Sequence, residues 1–180
     1  HPNLVELFEH GAVAGGFYFA MDYCPGGSVG GWMTRVDRPL TLVETAPIAL
    51  GAMAGLSHAH ERGFVHRDLK PDNLLMTEPT GGVVKVADFG LAKSFIESGL
   101  SGMTATNVFG GTPLFMPREQ IVNFRNVKPP SDVWSMGAAI YWMLTRRAVR
   151  DFPENTDPLL VILTEPVVPI RRRDPSIPPR

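Results

Sequence analysis

Acidic, basic and amide side chains crowd into eight consecutive positions of this sequence, 66–73. Asp68, Lys70 and Asn73 lie among them, and a further acid, Asp88, follows a β-branched run later in the chain. Carboxylate and amide oxygens suit Mg²⁺, which completes its coordination shell with water and phosphate oxygens. A separate carboxylate beside such an ion can accept a proton from an attacking hydroxyl. These residue types therefore favour metal-assisted chemistry at a hydroxyl group.

Two strands and a turn must position these residues. Aspartate, asparagine and proline break regular structure, so the charged stretch predicts a tight loop that leads into a strand at 74–76. A turn at 77–82, with one proline and two glycines, separates it from a second strand at 83–86. If these strands pair antiparallel, the open end of the hairpin holds Asn73 on one side and Asp88 on the other.

The order of the motifs resembles that of a known family. Positions 66–73 read H-R-D-L-K-P-D-N, and positions 88–90 read D-F-G. Together with the hairpin between them, they resemble the catalytic core of eukaryotic-type serine/threonine protein kinases. The later pattern G-T-P-L-F-M at 111–116, followed by E-Q at 119–120, resembles the activation segment of bacterial eukaryotic-like kinases. A solvated turn followed by an ordinary β-hairpin is the local alternative, and two specific motifs in the right order disfavour it.

The resemblance implies a role for each of the chemical residues. Asp68 would orient the acceptor hydroxyl and take its proton, while Asn73 and Asp88 would hold Mg²⁺ on the phosphates of ATP. Lys70 would neutralise charge on the moving phosphoryl group. A lysine two residues after the base is the pattern of serine/threonine kinases, and tyrosine kinases differ here.

The N-terminal part of the chain predicts a β-hairpin beside the nucleotide. Strands are expected over 4–9 and 17–23, with a glycine pair between them. By resemblance, Met21 to Cys24 form the gatekeeper and hinge, and the carbonyl of Asp22 and the amide of Cys24 would bond the adenine edge. Ser28 would approach the ribose. The positions that the resemblance assigns to ATP are Met21, Asp22, Cys24, Ser28 and Leu75.

Two long helices are predicted beyond the hinge. Thr41 and Glu44 have the S/T-x-x-E form of a capping box, apolar residues follow at helical spacing, and Gly63 fits a C-terminal stop. Pro47 lies inside this helix and should cost a backbone hydrogen bond. Positions 132–144, which open on D-x-W-S-x-G, predict a helix buried on all sides. The resemblance implies structural roles for His66, Phe89, Glu119 and Asp132. Asp132 would brace the catalytic loop by hydrogen bonds.

A polar segment after D-F-G resembles an activation segment over 88–119. A flexible surface loop is the local alternative. Glu119 falls where the A-P-E glutamate of the family lies, but Pro117-Arg118 stand in place of Ala-Pro. A phosphothreonine in this segment would pair with arginine and order the loop. The regulatory positions implied are Arg67, Thr104, Thr106 and Thr112.

Composition narrows the class of partner. The 180 residues carry 17 lysines and arginines against 18 aspartates and glutamates, so no basic excess indicates nucleic acid. The single cysteine, Cys24, cannot form an intrachain disulfide, which favours a reducing cytoplasmic location. The longest apolar run, 137–144, is too short to span a membrane. The expected partners are proteins with serine or threonine acceptors.

The predicted fold is α+β and protein-kinase-like, but partial. Residues 1–24 correspond to the end of the small β lobe and the hinge, and residues 25–180 to most of the mainly helical large lobe. A glycine-rich loop, a strand lysine and its helix glutamate are not found in the sequence. The last helices, with the arginine that pairs with Glu119, are also expected to be missing. The chain is therefore predicted to be a C-terminally truncated internal fragment that is inactive or very weak alone.

Two other functions stay open. The first is a non-catalytic pseudokinase or scaffold, in which the strand lysine would be absent from the whole protein and not merely lost by truncation. The intact Asp68, Asn73 and Asp88 disfavour this function. A small-molecule phosphotransferase of the aminoglycoside-kinase kind shares an H-x-D-x-x-x-x-N loop. Lys70 and the D-x-W motif at Asp132 disfavour that second reading.

Overall fold

The structure, a computed structural model, describes residues 1–13, 16–79, 81–89, 112–123 and 126–179. Within these ranges lie five strands, β1 (Leu7–Val13), β2 (Gly16–Met21), β3 (Gly27–Ser28), β4 (Leu74–Glu78) and β5 (Gly81–Val86). The helices of the same ranges are α1 (Val29–Val36), α2 (Leu42–His60), α3 (Arg118–Val122), α4 (Pro129–Thr145), α5 (Pro158–Thr164) and α6 (Ile170–Arg173). Short 3₁₀ turns lie at Pro71–Asn73 and Pro113–Phe115. Among the residues described, no helix is both long and apolar enough to cross a membrane.

The hairpin that carries the metal-type ligands forms as predicted. Strands β4 and β5 pair antiparallel with Leu74 opposite Val86 and Met76 opposite Val84, and β3 adds to the other edge of β4. Both strands run further toward the turn than the sequence predicted, to Glu78 and from Gly81. The β-branched and apolar residues drive this pairing because they fit a pleated, half-buried surface.

The N-terminal strands form a separate two-stranded sheet and differ from their predicted bounds. The first strand was predicted over 4–9 but lies over 7–13, and the second ends at Met21. Leu4 instead makes a single parallel bridge to Val86. Backbone hydrogen bonds of 2.9 Å join Val5 N to the Val86 carbonyl and Val86 N to the Asn3 carbonyl. The first residues are therefore used to tie the chain to β5.

Helix α2 begins at the predicted capping box. The Thr41 hydroxyl accepts from the Glu44 amide at 3.2 Å, and the Glu44 carboxylate accepts from the Thr41 amide at 2.8 Å. Both orphan donors of the first turn are thus satisfied. Pro47 lies inside the helix as expected, and Gly63 follows its end with φ +79°.

The core lies where α2 and α4 meet the three-stranded sheet. Its fully buried side chains include Met33, Leu74, Met76, Met136 and Met143. The prediction that the second long helix is buried on all sides is wrong, since Val133 is 64% exposed and Gly137 is also exposed. Helix α4 packs on α2, α6 and the 3₁₀ turn at 113–115, and this leaves one stripe uncovered.

Candidate active site

One buried carboxylate, that of Asp132, anchors the start of the loop at 66–73 by hydrogen bonds. Asp132 lies in the first turn of α4 and is 1% exposed. Its Oδ2 accepts from the His66 amide at 2.8 Å and its Oδ1 from the Arg67 amide at 2.9 Å, while His60 Nε2 lies 2.7 Å from Oδ2. A carboxylate buried this deeply requires such donors, and it fixes the start of the loop relative to the helix.

His66 links this loop to the end of β5. Its Nε2 donates to the Ala87 carbonyl at 2.7 Å, and its Nδ1 accepts from the Asp68 amide at 3.2 Å. Burial lowers the pKa of His66 below its ordinary value, although the Ala87 carbonyl opposes the shift. The neutral ring protonated at Nε2 satisfies both contacts, since an imidazolium could not accept at Nδ1. The Phe89 ring packs on His66, with centroids 4.8 Å apart.

The proposed base, Asp68, is held at both carboxylate oxygens. Oδ1 accepts from the Thr112 amide at 3.1 Å, and Oδ2 lies 3.0 Å from Lys70 Nζ. Lys70 also donates to the Thr112 hydroxyl at 3.1 Å. Thr112, one of the predicted regulatory positions, therefore contacts both Asp68 and Lys70. Both charged side chains remain partly exposed to solvent.

The two expected metal ligands lie at neighbouring strand ends. The Ala87 amide donates to the Asn73 carbonyl at 2.9 Å, and Asp88 follows directly with φ 60°. The Asn73 amide nitrogen donates to the Asp68 carbonyl at 2.8 Å, which leaves the amide oxygen for a ligand. Among the described residues, no group of three His, Cys, Asp or Glu could hold a metal ion. One amide oxygen and one carboxylate fit Mg²⁺ that takes its other ligands from water and phosphate.

The predicted hinge has one backbone acceptor and one backbone donor without a backbone partner within the described part of the chain. The Asp22 amide donates to the Glu6 carbonyl and the Cys24 carbonyl accepts from the Gly27 amide, both at 3.0 Å. The Asp22 carbonyl and the Cys24 amide have no backbone partner among the described residues. These are the two groups that the sequence predicts to hydrogen-bond the adenine.

The remaining positions that the resemblance assigned to ATP are divided between the two sheets. Leu75 on β4 lies opposite Ser28 in the register, and Met21 ends β2. The Ser28 hydroxyl caps α1 by accepting from the Gly31 amide at 3.1 Å. The hydroxyl proton and a second lone pair remain for the predicted ribose contact.

The end of the predicted activation segment is described, but its middle is not. Thr104 and Thr106 lie outside the described residues. Glu119 Oε1 accepts from the Ser131 hydroxyl at 2.9 Å. Arg118, which replaces the family's proline, donates to the carbonyls of Ile162 and Glu165 at 2.8 Å and so joins α3 to α5.

Three contacts at the site were not predicted. Lys85 Nζ lies 2.5 Å from Asp22 Oδ2, His60 contacts Asp132, and Gln120 Nε2 donates to the Arg67 carbonyl at 2.6 Å. Side chains alternate between the two faces of a strand, so Lys85 lies on the face opposite to that of Val84 and Val86. This alternation was a usable signal for a role of Lys85 outside the core. For Gln120 the sequence offered no comparable signal, because its partner lies 53 positions away.

Comparisons with known proteins agree on one family. A family model described as a protein kinase domain matches residues 1–171. The chain is 33% identical to human serine/threonine-protein kinase ULK1, covering 82% of this chain and 14% of that protein. It is 34% identical to Pkn1 of Myxococcus xanthus, covering 82% and 21%, and 29% identical to the probable kinase PknB of Lactococcus lactis, covering 99% and 27%. The chain thus spans at most 27% of the length of these relatives.

A solved structure gives the same answer for the fold. The crystal structure of Rad53 residues 1–466 in complex with AMP-PNP matches with a TM-score of 0.70 at 25% identity. The match covers 91% of this chain and 39% of the other. It supports the α+β assignment, with a small sheet followed by a mostly helical portion.

Proposed function

The chain belongs to the protein kinase family, and from this premise we propose that the protein transfers the γ-phosphoryl group of ATP to serine and threonine hydroxyls of proteins. One observation carries the proposal. The carboxylate of Asp68 contacts the Thr112 amide and Lys70, and its backbone carbonyl accepts from the Asn73 side chain at 2.8 Å. Base, cation and metal ligands of the proposed reaction thus share one loop and one hairpin.

In the proposed reaction the acceptor oxygen bonds to the γ-phosphorus as the bond to the β–γ bridging oxygen breaks. Asp68 takes the hydroxyl proton, and ADP leaves. Lys70 stabilises negative charge on the moving group, since transfer of this kind depends on positioning and charge stabilisation. Mg²⁺, when bound by Asn73 and Asp88, would supply charge neutralisation at the phosphates.

The same premise supports the finer assignments. The Asp22 carbonyl and Cys24 amide would bind the adenine, and the similar protein Rad53 is in complex with AMP-PNP in its crystal structure. The contacts of Lys70 with Asp68 and Thr112 support the serine/threonine class over the tyrosine class. We propose a cytoplasmic location because ATP and a buried reduced Cys24 both suit a reducing compartment.

The test is a transfer assay on the full-length protein with ATP labelled at the γ position. Peptides with serine, threonine or tyrosine acceptors are compared with aminoglycoside acceptors. We expect transfer to serine and threonine peptides, and a loss of at least about a hundredfold in Asp68→Asn, because a general base contributes about 10²–10⁴-fold.

Asp72→Asn is the matched control, since Asp72 belongs to the same loop but has no role in the proposed reaction. Transfer to sugars alone would contradict the protein-kinase assignment. Nucleotide binding by the wild type with no transfer would instead support the non-catalytic alternative.

A further inference from the structure

The residue before the proposed base has an unusual backbone. Arg67 has φ 70°, a left-handed conformation that a non-glycine side chain rarely adopts. Residues held in this region persist only where the surrounding structure fixes them, and they concentrate at functional sites. The contacts that hold Arg67 therefore bear directly on the orientation of Asp68.

Both peptide groups that flank the Arg67 Cα are held by hydrogen bonds. The N–H of the 66–67 peptide donates to Asp132 Oδ1 at 2.9 Å. The next peptide, 67–68, is held at both ends: its C=O accepts from Gln120 Nε2 at 2.6 Å, and its N–H donates to His66 Nδ1 at 3.2 Å. Rotation of the 67–68 peptide changes ψ of Arg67 and φ of Asp68, so it would re-aim the Asp68 carboxylate.

Gln120 reaches this peptide from a different part of the chain. It lies on α3, directly after Glu119, and is 2% exposed. Its own amide donates to the Pro117 carbonyl at 3.2 Å, so its backbone is fixed at the end of the predicted activation segment. Unlike the Asp132 contact, which comes from the rigid core helix α4, the Gln120 contact depends on where α3 sits.

We propose that Gln120 is a positioning residue for Asp68, which it orients by holding the 67–68 peptide through the Arg67 carbonyl. The inference rests on the proposed phosphoryl transfer. It makes the catalytic geometry conditional on the docking of α3, since movement of this helix removes the donor from the peptide. The binding of ATP does not depend on this contact, because the hinge groups and the Asp22–Lys85 pair lie elsewhere.

The experiment compares Gln120→Met and Gln120→Glu with the wild type in the full-length protein. Methionine keeps the length of the side chain without a donor, and glutamate keeps its shape with acceptors only. Val122→Ala on the same helix is the matched control, because Val122 is 76% exposed. Measurements are kcat, KM for ATP and the thermal unfolding midpoint of each variant. The reaction itself is first established without reference to Gln120: the wild type must transfer phosphate, and Asp68→Asn must lose that transfer.

We expect kcat to fall at least tenfold in both Gln120 variants. KM for ATP should stay within about twofold. The midpoint of Gln120→Met should stay near that of the control, whereas Gln120→Glu should unfold at a lower temperature because it buries a carboxylate against the Arg67 carbonyl. Wild-type kcat in either folded variant would overturn the proposal. A fall in kcat that only follows loss of folded protein, or failure of both variants to fold, would also overturn it, because Gln120 would then act through stability alone.

Discussion

At the scale of single residues, Asp132 supports the catalytic loop most directly. One buried carboxylate accepts from two loop amides and contacts His60. In Asp132→Asn one acceptor oxygen becomes an NH₂ group that faces a donor, so we expect a loss of about 1–3 kcal/mol of unfolding free energy. Urea-induced unfolding of the catalytic domain measures it.

Asp151→Asn provides the control for that substitution. Asp151 pairs with Arg173 at 2.6 Å, but its side chain is 72% exposed, so the same change should cost less than about 1 kcal/mol. Equal losses in the two variants would contradict the bracing role of Asp132.

A second residue-scale prediction concerns the hinge. The Lys85 ammonium lowers the pKa of Asp22, with help from the Glu6 amide, and holds the hinge against β5. In Lys85→Met we expect KM for ATP to rise several-fold with a smaller change in kcat, because the adenine contacts lose their support. Steady-state kinetics of the full-length protein, with exposed Lys128→Met as control, tests this. A change in kcat alone would contradict it.

The chemical residues could be predicted because they are clustered in sequence. His66 to Asn73 form one contiguous loop, and the hairpin brings Asp88 back to it. Gln120 and Lys85 could not be found by motif spacing, since each acts on a partner more than 50 positions away. Such contacts follow from tertiary packing, which residue spacing does not encode.

At the scale of elements, the capping box of α2 leads to a pH dependence. The Arg38 guanidinium first, and the Thr41 amide second, lower the pKa of Glu44 to about 2 from its ordinary value near 4.5. The folded state therefore holds the charged form more tightly, and the stability that this adds is present above about pH 4.5. It is lost as the pH falls from there toward 2.

Glu44→Gln keeps an acceptor for the Thr41 amide but cannot titrate or pair with Arg38. At pH 6 we expect the variant to be less stable by about 1 kcal/mol, within the range for caps. The difference should shrink as the pH falls through this window, as followed by urea unfolding at several pH values. A difference that does not vary with pH would contradict the assignment of the pKa shift to this pair.

Two glycines in the long helices make a matched comparison. A Cβ on Gly55 of α2 would lie 2.5 Å from the Asn3 carbonyl oxygen, whereas a Cβ on Gly137 of α4 meets nothing within 4 Å. Both changes to alanine gain about 1 kcal/mol of helix propensity. We expect Gly137→Ala to stabilise, and Gly55→Ala to destabilise by roughly 1–3 kcal/mol through overpacking, measured by thermal unfolding. Equal shifts would mean that the Asn3 segment does not pack on α2.

The elements also show where sequence patterns were insufficient. The helix start at Thr41 and the β4–β5 hairpin were predicted because their signals are local. The predicted bounds of the N-terminal strand were wrong because backbone groups of residues 3–5 hydrogen-bond to β5, which lies about 80 positions away in the sequence. The burial of α4 was overestimated because an apolar run in the sequence does not indicate which faces of the helix other elements cover.

At the scale of the whole molecule, the two sheets should differ in local stability. Within the part of the chain that the structure describes, β1 and β2 pair only with each other, and their exposed apolar side chains include Leu7, Phe8 and Val13. A two-stranded hairpin with little buried surface is marginal in water. In contrast, β4 and β5 bury Met76, Val84 and Val86 against the core that α2 completes.

Native-state hydrogen exchange should therefore separate the two sheets in the 180-residue chain. We expect amides of β1 and β2 to exchange at least about a hundredfold faster than those of β4 and β5, because local opening costs less where few apolar contacts are broken. The catalytic loop should share the slower class, since Asp132, His66 and Gln120 tie it to the core. Equal protection of both sheets would mean that the β1–β2 hairpin folds as one unit with the core formed by α2, α4 and the three-stranded sheet. The hinge would then be a rigid part of the core, and the nucleotide site would not depend on further contacts to order it.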